Sequence, residues 1–246
     1  MPKASVRETK QSRALKEKLI VAGKALVAAG QGDFTRGHIS VRLPDNPKLF
    51  LMKPHSIGLD EITMQSILTI DLEGNVVAGK ARRHSEVYIH SEIFKARPDV
   101  NSVIHAHPPY CVALSSSSYK VKAYSQPGAL FYEDVGVYTD TIALIRSHET
   151  GAGVAKALGS HRAAFLKSHG TAVVGKSIEE TVVSAIMLEN AAMIQMIVEA
   201  AGDPAPEFPR DDILALKRQM TAPEQFVINF DYLARRVSGK SVNNSW

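Results

Sequence analysis

The chain has 246 residues, of which 45% are hydrophobic and 22% charged, ordinary proportions for a globular protein with a sizeable core. Its net charge of +4 comes without a Lys/Arg cluster interleaved with aromatics, so no nucleic acid is expected as a partner. One cysteine, Cys111, leaves no intramolecular disulfide and agrees with a reducing, cytoplasmic setting, and no apolar run approaches about 18 residues, so no membrane span is expected.

The first thirteen residues, MPKASVRETKQSR, lack the apolar stretch of a secretory signal and read as a loose lead-in. A helix follows over about 12–29, with Leu15, Leu19, Ala22 and Leu26 on one stripe and Gly30 as its C-cap. After the loop GQGDFTRG, ISVRL and LFLM read as short strands separated by the turn PDNPK. KPHSIGLDEIT is a polar loop, and ILTIDLEGNVVAGK is a hairpin that turns at Glu73-Gly74-Asn75.

The stretch HSEVYIHSEIFKARPDVNSVIHAHP, residues 84–108, carries the densest chemistry. SEVYIHSEIFKA reads as a helix with Ser85 as N-cap and Ile89, Ile93 and Ala96 on one face. Pro98 ends it. NSVIHAH then reads as a strand on which His105 and His107 share one face, roughly 6.6 Å apart along the chain, so that their imidazoles can converge on one ion. Glu86 opens the helix, where a carboxylate is electrostatically favoured. A catalytic zinc-type site has three protein ligands and an open position. The third candidate is His169, which closes the apolar run AAFLK and precedes Gly170 in KSHGTAVVG.

Beyond the His pair, YCVALSSSS reads as a short helix, in which Cys111 is a buried structural thiol rather than a nucleophile. VKAYSQPGALFYEDVGVYTD reads as two weak strands, and 147–158 as a helix. SIEETVVSAIMLENAAMIQMIVEAAG is the clearest helix, opened by a Ser177/Glu180 capping box and closed at Gly202. Its Met187, Met193 and Met196 suit a core or a subunit interface. GDPAPEFPRDD breaks the pattern, a last helix starts near Asp211, and QFVINFDYLARRV and a loose KSVNNSW, which Trp246 could anchor, form the tail.

Together, Glu86, His105-Ala106-His107 and Ser168-His169-Gly170 resemble the metal-site signature of the class II aldolase/adducin family. The order G-x-x-S strand, hairpin, S-E helix, R-P-D-V turn, H-x-H strand and H-G strand agrees from residue 37 to about 201. The resemblance implies an α/β fold: a single α/β/α layered domain over 1–246 with a central, mainly antiparallel sheet. Its core would span 12–202, and an extension at 203–246 would lie at a subunit interface. It also implies a homotetramer with sites at subunit borders. One divalent ion per subunit (Zn, Mn, Co or Fe(II)) would be held by His105, His107 and His169, with Glu86 as ligand or catalytic carboxylate.

The departures from the sugar-phosphate members narrow the chemistry. Where those carry small polar residues that hold a phosphate, this chain has Gly37-His38-Ile39-Ser40, Lys53-Pro54-His55-Ser56-Ile57-Gly58 and His84-Ser85-Glu86. GHIS, SIGLDEIT and HSE resemble instead the branch that decarboxylates hydroxylated aromatic acids. The expectation is therefore a metal-dependent lyase acting on a small anionic substrate. Glu86, His84 and His38 are the candidate acid/base groups. His38, Ser40, Lys53, His55, Ser56, Gly58, Arg82 and Ser85 are the candidate substrate contacts. Two alternatives stay open: an aldolase or epimerase of sugar phosphates, and a non-catalytic adducin-like interaction domain. His90, His148 and His161 read as structural or solvated.

Overall fold

The computed structural model describes residues 8–117 and 120–239; the expectations for the first seven residues and for the tail KSVNNSW lie outside them. Helix α1 (Lys10–Leu26) leads through a wide turn, Val27–Gln31, into strands β1 (His38–Leu43), β2 (Asn46–Met52), β3 (Leu68–Asp71) and β4 (Val76–Ala78). Helix α2 (Val87–Ala96), strand β5 (Ser102–Ala106), helices α3 (Pro109–Ser115) and α4 (Gln126–Leu130), strand β6 (Val135–Tyr138) and helix α5 (His148–Leu158) follow. Strands β7 (Ala163–Leu166) and β8 (Gly170–Gly175) and helices α6 (Ile178–Ala200), α7 (Arg210–Met220) and α8 (Pro223–Ser238) complete the chain.

The strands form one sheet in the order β4-β3-β2-β1-β5-β8-β7-β6. Every pairing is antiparallel except β6–β7, whose parallel connection needs a crossover, supplied by α5. Period-two alternation divides the sheet between two cores. Ile39, Val41, Ile104 and Val173 face α1, α3, α6 and α8, while Phe50, Met52, Val103 and Val174 face α2 and α5. This is the expected layered α/β arrangement.

The same alternation sends His38, Ser40 and Arg42 of β1, and His105 of β5, to the α2 side. His38 and His105 are direct cross-strand partners, which brings their side chains together on one face. Arg42 anchors the far end of α2, donating to the carbonyls of Phe94 at 2.8 Å, Val100 at 3.1 Å and Arg97 at 3.2 Å. It satisfies acceptors that a helix end leaves unpaired.

Four local expectations are corrected. Glu86, not Ser85, is the N-cap of α2, and no side chain caps it. The stretch read as two weak strands holds α4, capped by Ser125, and one strand, β6. Only half of the α6 capping box forms: Ser177 accepts from the Glu180 N–H, but the Glu180 carboxylate binds Lys176 N–H and Arg162. Finally, α6 is long and apolar enough by length and composition to cross a membrane, which a search for unbroken apolar runs misses because Glu189 interrupts it. In this fold β5, β8, α1, α3, α4 and α8 pack around α6, as around a core helix. Phe226 and Phe230 of α8 are buried in that core.

Candidate active site

Three elements deliver four side chains to one point. Glu86 stands at the start of α2, His105 near the end of β5, His107 just beyond it, and His169 in the turn between β7 and β8. Their ligand-type atoms lie within 4.8 Å of one another. The β7–β8 turn is held in an unusual shape: Ser168 adopts φ 55°, its N–H donates to Ser115 Oγ at 3.0 Å, and its hydroxyl meets that of Ser116 at 2.9 Å. Gly170 follows because a Cβ there would sit 2.5 Å from the Ala106 carbonyl oxygen and 2.8 Å from His107 Cδ2.

Hydrogen bonds orient two of the rings. His105 Nδ1 lies 2.9 Å from the Thr171 carbonyl and His107 Nδ1 lies 2.8 Å from Asp33 Oδ2. Both partners accept, so Nδ1 carries the proton and the Nε2 lone pair turns inward, the usual second layer of a metal site. His105 Nε2 and both ring nitrogens of His169 are buried without a hydrogen-bond partner. A buried unpaired polar atom costs about 1–3 kcal/mol. An ion that accepted these lone pairs would remove that cost, so the donor set fits a divalent metal of the kind bound by imidazole and carboxylate.

Electrostatics agree. Burial pushes the Glu86 carboxyl up, opposed by the Ile145 N–H that donates to Oε1 at 2.9 Å and by Arg146. Burial lowers His105 well below its ordinary value and His169 to about 4, with neighbouring imidazoles adding to both. Neutral imidazole is the form a metal binds.

Behind this group lies a second layer of imidazoles. His38 Nε2 is 3.9 Å from Glu86 Oε2, and its Nδ1 is 2.6 Å from Nε2 of His90. His90 Nδ1 lies 2.6 Å from Ser40 Oγ, and all three residues are fully buried. The His84 ring lies tilted between two others, its centroid 4.3 Å from that of His38 and 5.0 Å from that of His55. Burial, then Lys53, hold His84 at about 3. Lys53 is itself fully buried, donates to the Thr35 carbonyl at 2.9 Å, lies 3.4 Å from His84 Nε2, and is lowered by burial to about 8.

A cavity of about 710 Å³ opens beside the four residues, within the usual range for small-molecule sites. Its walls include His55, His84, Ser85, Glu86, His107 and His169, together with Arg36 and Arg146. Six of the eight candidate substrate contacts lie elsewhere, with His38 and Lys53 fully buried behind the wall. Ser40 is buried behind His38 with its hydroxyl on His90. The Gly58 N–H is taken by the Glu61 carboxylate at 2.6 Å. Ser56 is exposed and its hydroxyl meets His55 Nδ1. Arg82 is exposed and contributes its carbonyl to the His55 N–H.

Sequence reasoning missed Asp33, Arg146 and His90. For His90 a signal existed: it lies four residues after Glu86, on the same helical face. His148 and His161 stand on the surface, beside Glu92 and Asp134, as expected.

Residues 17–196 match the family described as Class II Aldolase and Adducin N-terminal domain. The chain is 30% identical over 212 residues to the 3,4-dihydroxyphthalate decarboxylase of Arthrobacter keyseri, covering 82% of this chain and 85% of that one. Among solved structures, an aldolase II superfamily protein from Pseudomonas syringae superposes with a TM-score of 0.85 at 23% identity, over 95% of both chains. An L-fuculose 1-phosphate aldolase from Glaciozyma antarctica gives 0.81 at 26% identity, over 96% of this chain and 94% of that one.

Proposed function

Because the chain belongs to the class II aldolase and adducin family, we propose that it is a divalent-metal-dependent carbon–carbon lyase that decarboxylates a hydroxylated aromatic mono- or dicarboxylic acid. His105, His107 and His169 would hold the ion, with Glu86 closing its shell or released from it to act on substrate. The observation that carries the choice of branch is the Gly58 loop. The Gly58 N–H is occupied by Glu61, so that amide is closed to a phosphate, while neutral imidazoles of His38 and His84 flank the four-residue cluster. The similarity to a dihydroxyphthalate decarboxylase supports the same reading.

A bound divalent ion supplies Lewis acidity toward neighbouring substrate oxygens. The chain's own groups divide the remaining work. Glu86, whose burial favours its protonated form, delivers the proton that makes the new C–H bond at the carboxylated ring carbon. The electron pair of the breaking C–C bond returns to the ring, and CO2 leaves. This moves the proton-carrying role away from His84 and His38, because burial keeps both neutral. His84, on the cavity wall, serves as an uncharged group that orients a substrate oxygen, and His38, buried behind the wall, positions Glu86. Lys53, Arg36 and Arg146 give the pocket a positive field for an anion.

The reading includes a homotetramer. Ile142 and Leu144 on the cavity wall are 67% and 43% exposed, an apolar rim that a neighbouring subunit would cover, and a cytoplasmic location agrees with the single reduced thiol. Metal analysis of the purified protein, followed by a CO2-release screen over ortho-hydroxy aromatic acids, tests the proposal. Bound divalent metal with CO2 release is expected. Stoichiometric metal with no CO2 from any such acid would contradict the decarboxylase assignment.

A further inference from the structure

Ser40, His90 and His38 form a buried hydrogen-bonded chain that ends beside Glu86, a residue of the cavity wall. Ser40 and His38 are two residues apart on β1 and so share a face, and α2 lays His90 across both. The two contacts are 2.6 Å each, and none of the three residues is exposed. Full burial disfavours the charged form of both imidazoles, so each ring carries one proton.

The chain can be ordered in two ways. In one, Ser40 donates its hydroxyl hydrogen to His90 Nδ1, His90 donates from Nε2 to His38 Nδ1, and His38 keeps its proton on Nε2. In the other, every bond reverses. The reversed order leaves the buried Ser40 hydrogen without an acceptor, since the hydroxyl's hydrogen-bond partner in the structure is His90 Nδ1. The Ser40 end of the chain therefore favours the first order. A serine hydroxyl is too weak an acid to release a net proton, so the chain selects a tautomer and does not conduct protons.

We propose that Ser40 and His90 are positioning residues that lock neutral His38 as its Nε2–H tautomer, so that His38 holds an N–H donor toward the Glu86 carboxyl group, 3.9 Å away, from behind the cavity wall. That Glu86 acts on substrate rests on the lyase reading above; the tautomer does not.

Long-range proton–nitrogen NMR on the zinc-loaded protein labelled with 15N-histidine reads the tautomer directly, with His38→Gln used to assign the signal. The wild-type His38 is expected to show the Nε2–H pattern. Ser40→Ala is expected to shift His38 toward Nδ1–H and to lower turnover roughly 10- to 100-fold with zinc content intact, and Ser40→Thr to restore both. A wild-type His38 protonated on Nδ1 overturns the proposal even if Ser40→Ala fails to fold. So does an unchanged pattern in a folded Ser40→Ala protein. If no acid releases CO2, the lyase reading fails while the NMR result still judges the lock.

Discussion

Nδ1 of His107 lies 2.8 Å from Oδ2 of Asp33, a residue 74 positions earlier in the chain. Asp33 in turn is held by Arg36 at 2.7 Å. The carboxylate fixes the ring's tautomer and aims Nε2 at the cluster. Asp33→Asn keeps the shape but can present its amide nitrogen to the ring. It should lower zinc affinity about 10- to 100-fold, read by chelator competition. Unchanged affinity would show that His107 needs no such orientation.

Gly170 supports the same ring by being small. Gly170→Ala would place its Cβ 2.5 Å from the Ala106 carbonyl oxygen and 2.8 Å from His107 Cδ2, so either the β5–β8 pairing or the ring must shift. A destabilisation of about 1–3 kcal/mol and loss of bound metal are expected, by urea titration and metal analysis. A wild-type metal content in a folded variant would mean that the ring is not held there.

The buried histidines set the pH dependence of the metal-free fold. Burial holds His84 and His90 at about 3 and His38 well below its ordinary value, while the unfolded chain protonates near 6.5. Between those values the unfolded state binds more protons, so stability is present above about pH 6.5 and is lost as pH falls toward 3. Each group contributes up to about 1.4 kcal/mol per pH unit in that window. Glu86, raised by burial, acts in the opposite direction, but one carboxyl opposes several imidazoles. Urea midpoints should fall steadily from pH 7 to pH 5, and a flat profile would contradict neutral burial.

Lys53 separates stability from function. Its ammonium is fully buried with a carbonyl and an imidazole and, among the described residues, no carboxylate within ion-pair distance. An apolar chain of similar length should tolerate that place better. Lys53→Met is expected to raise Tm by about 2–4 °C, equivalent to about 1 kcal/mol in a chain of this size, and to raise KM for the anionic substrate about tenfold. A fall in Tm would assign Lys53 a structural role.

The sequence was most readable where one period controls position. The two-residue spacing of His105 and His107 and the His169-Gly170 turn led to side chains that the fold brings within 4.8 Å of Glu86. What escaped was what depends on other elements. Nothing local says that Asp33 reaches His107, or that α2 lays His90 across β1. Ser40 and Gly58 carried the right motif positions, yet His90 and Glu61 occupy their polar groups. The start of α2 was misread because Glu86, not Ser85, takes the cap position, and the nature of α4 because a proline can open a helix as well as stop one.

The decarboxylase assignment is tested most directly by running two assays on one metal-loaded sample: CO2 release from ortho-hydroxy aromatic acids, and cleavage of ketose 1-phosphates to dihydroxyacetone phosphate. CO2 release that chelator abolishes and metal restores, without ketose cleavage, is the predicted result. Ketose cleavage with no CO2 from any acid would contradict it and return the site to the sugar-phosphate branch of the family.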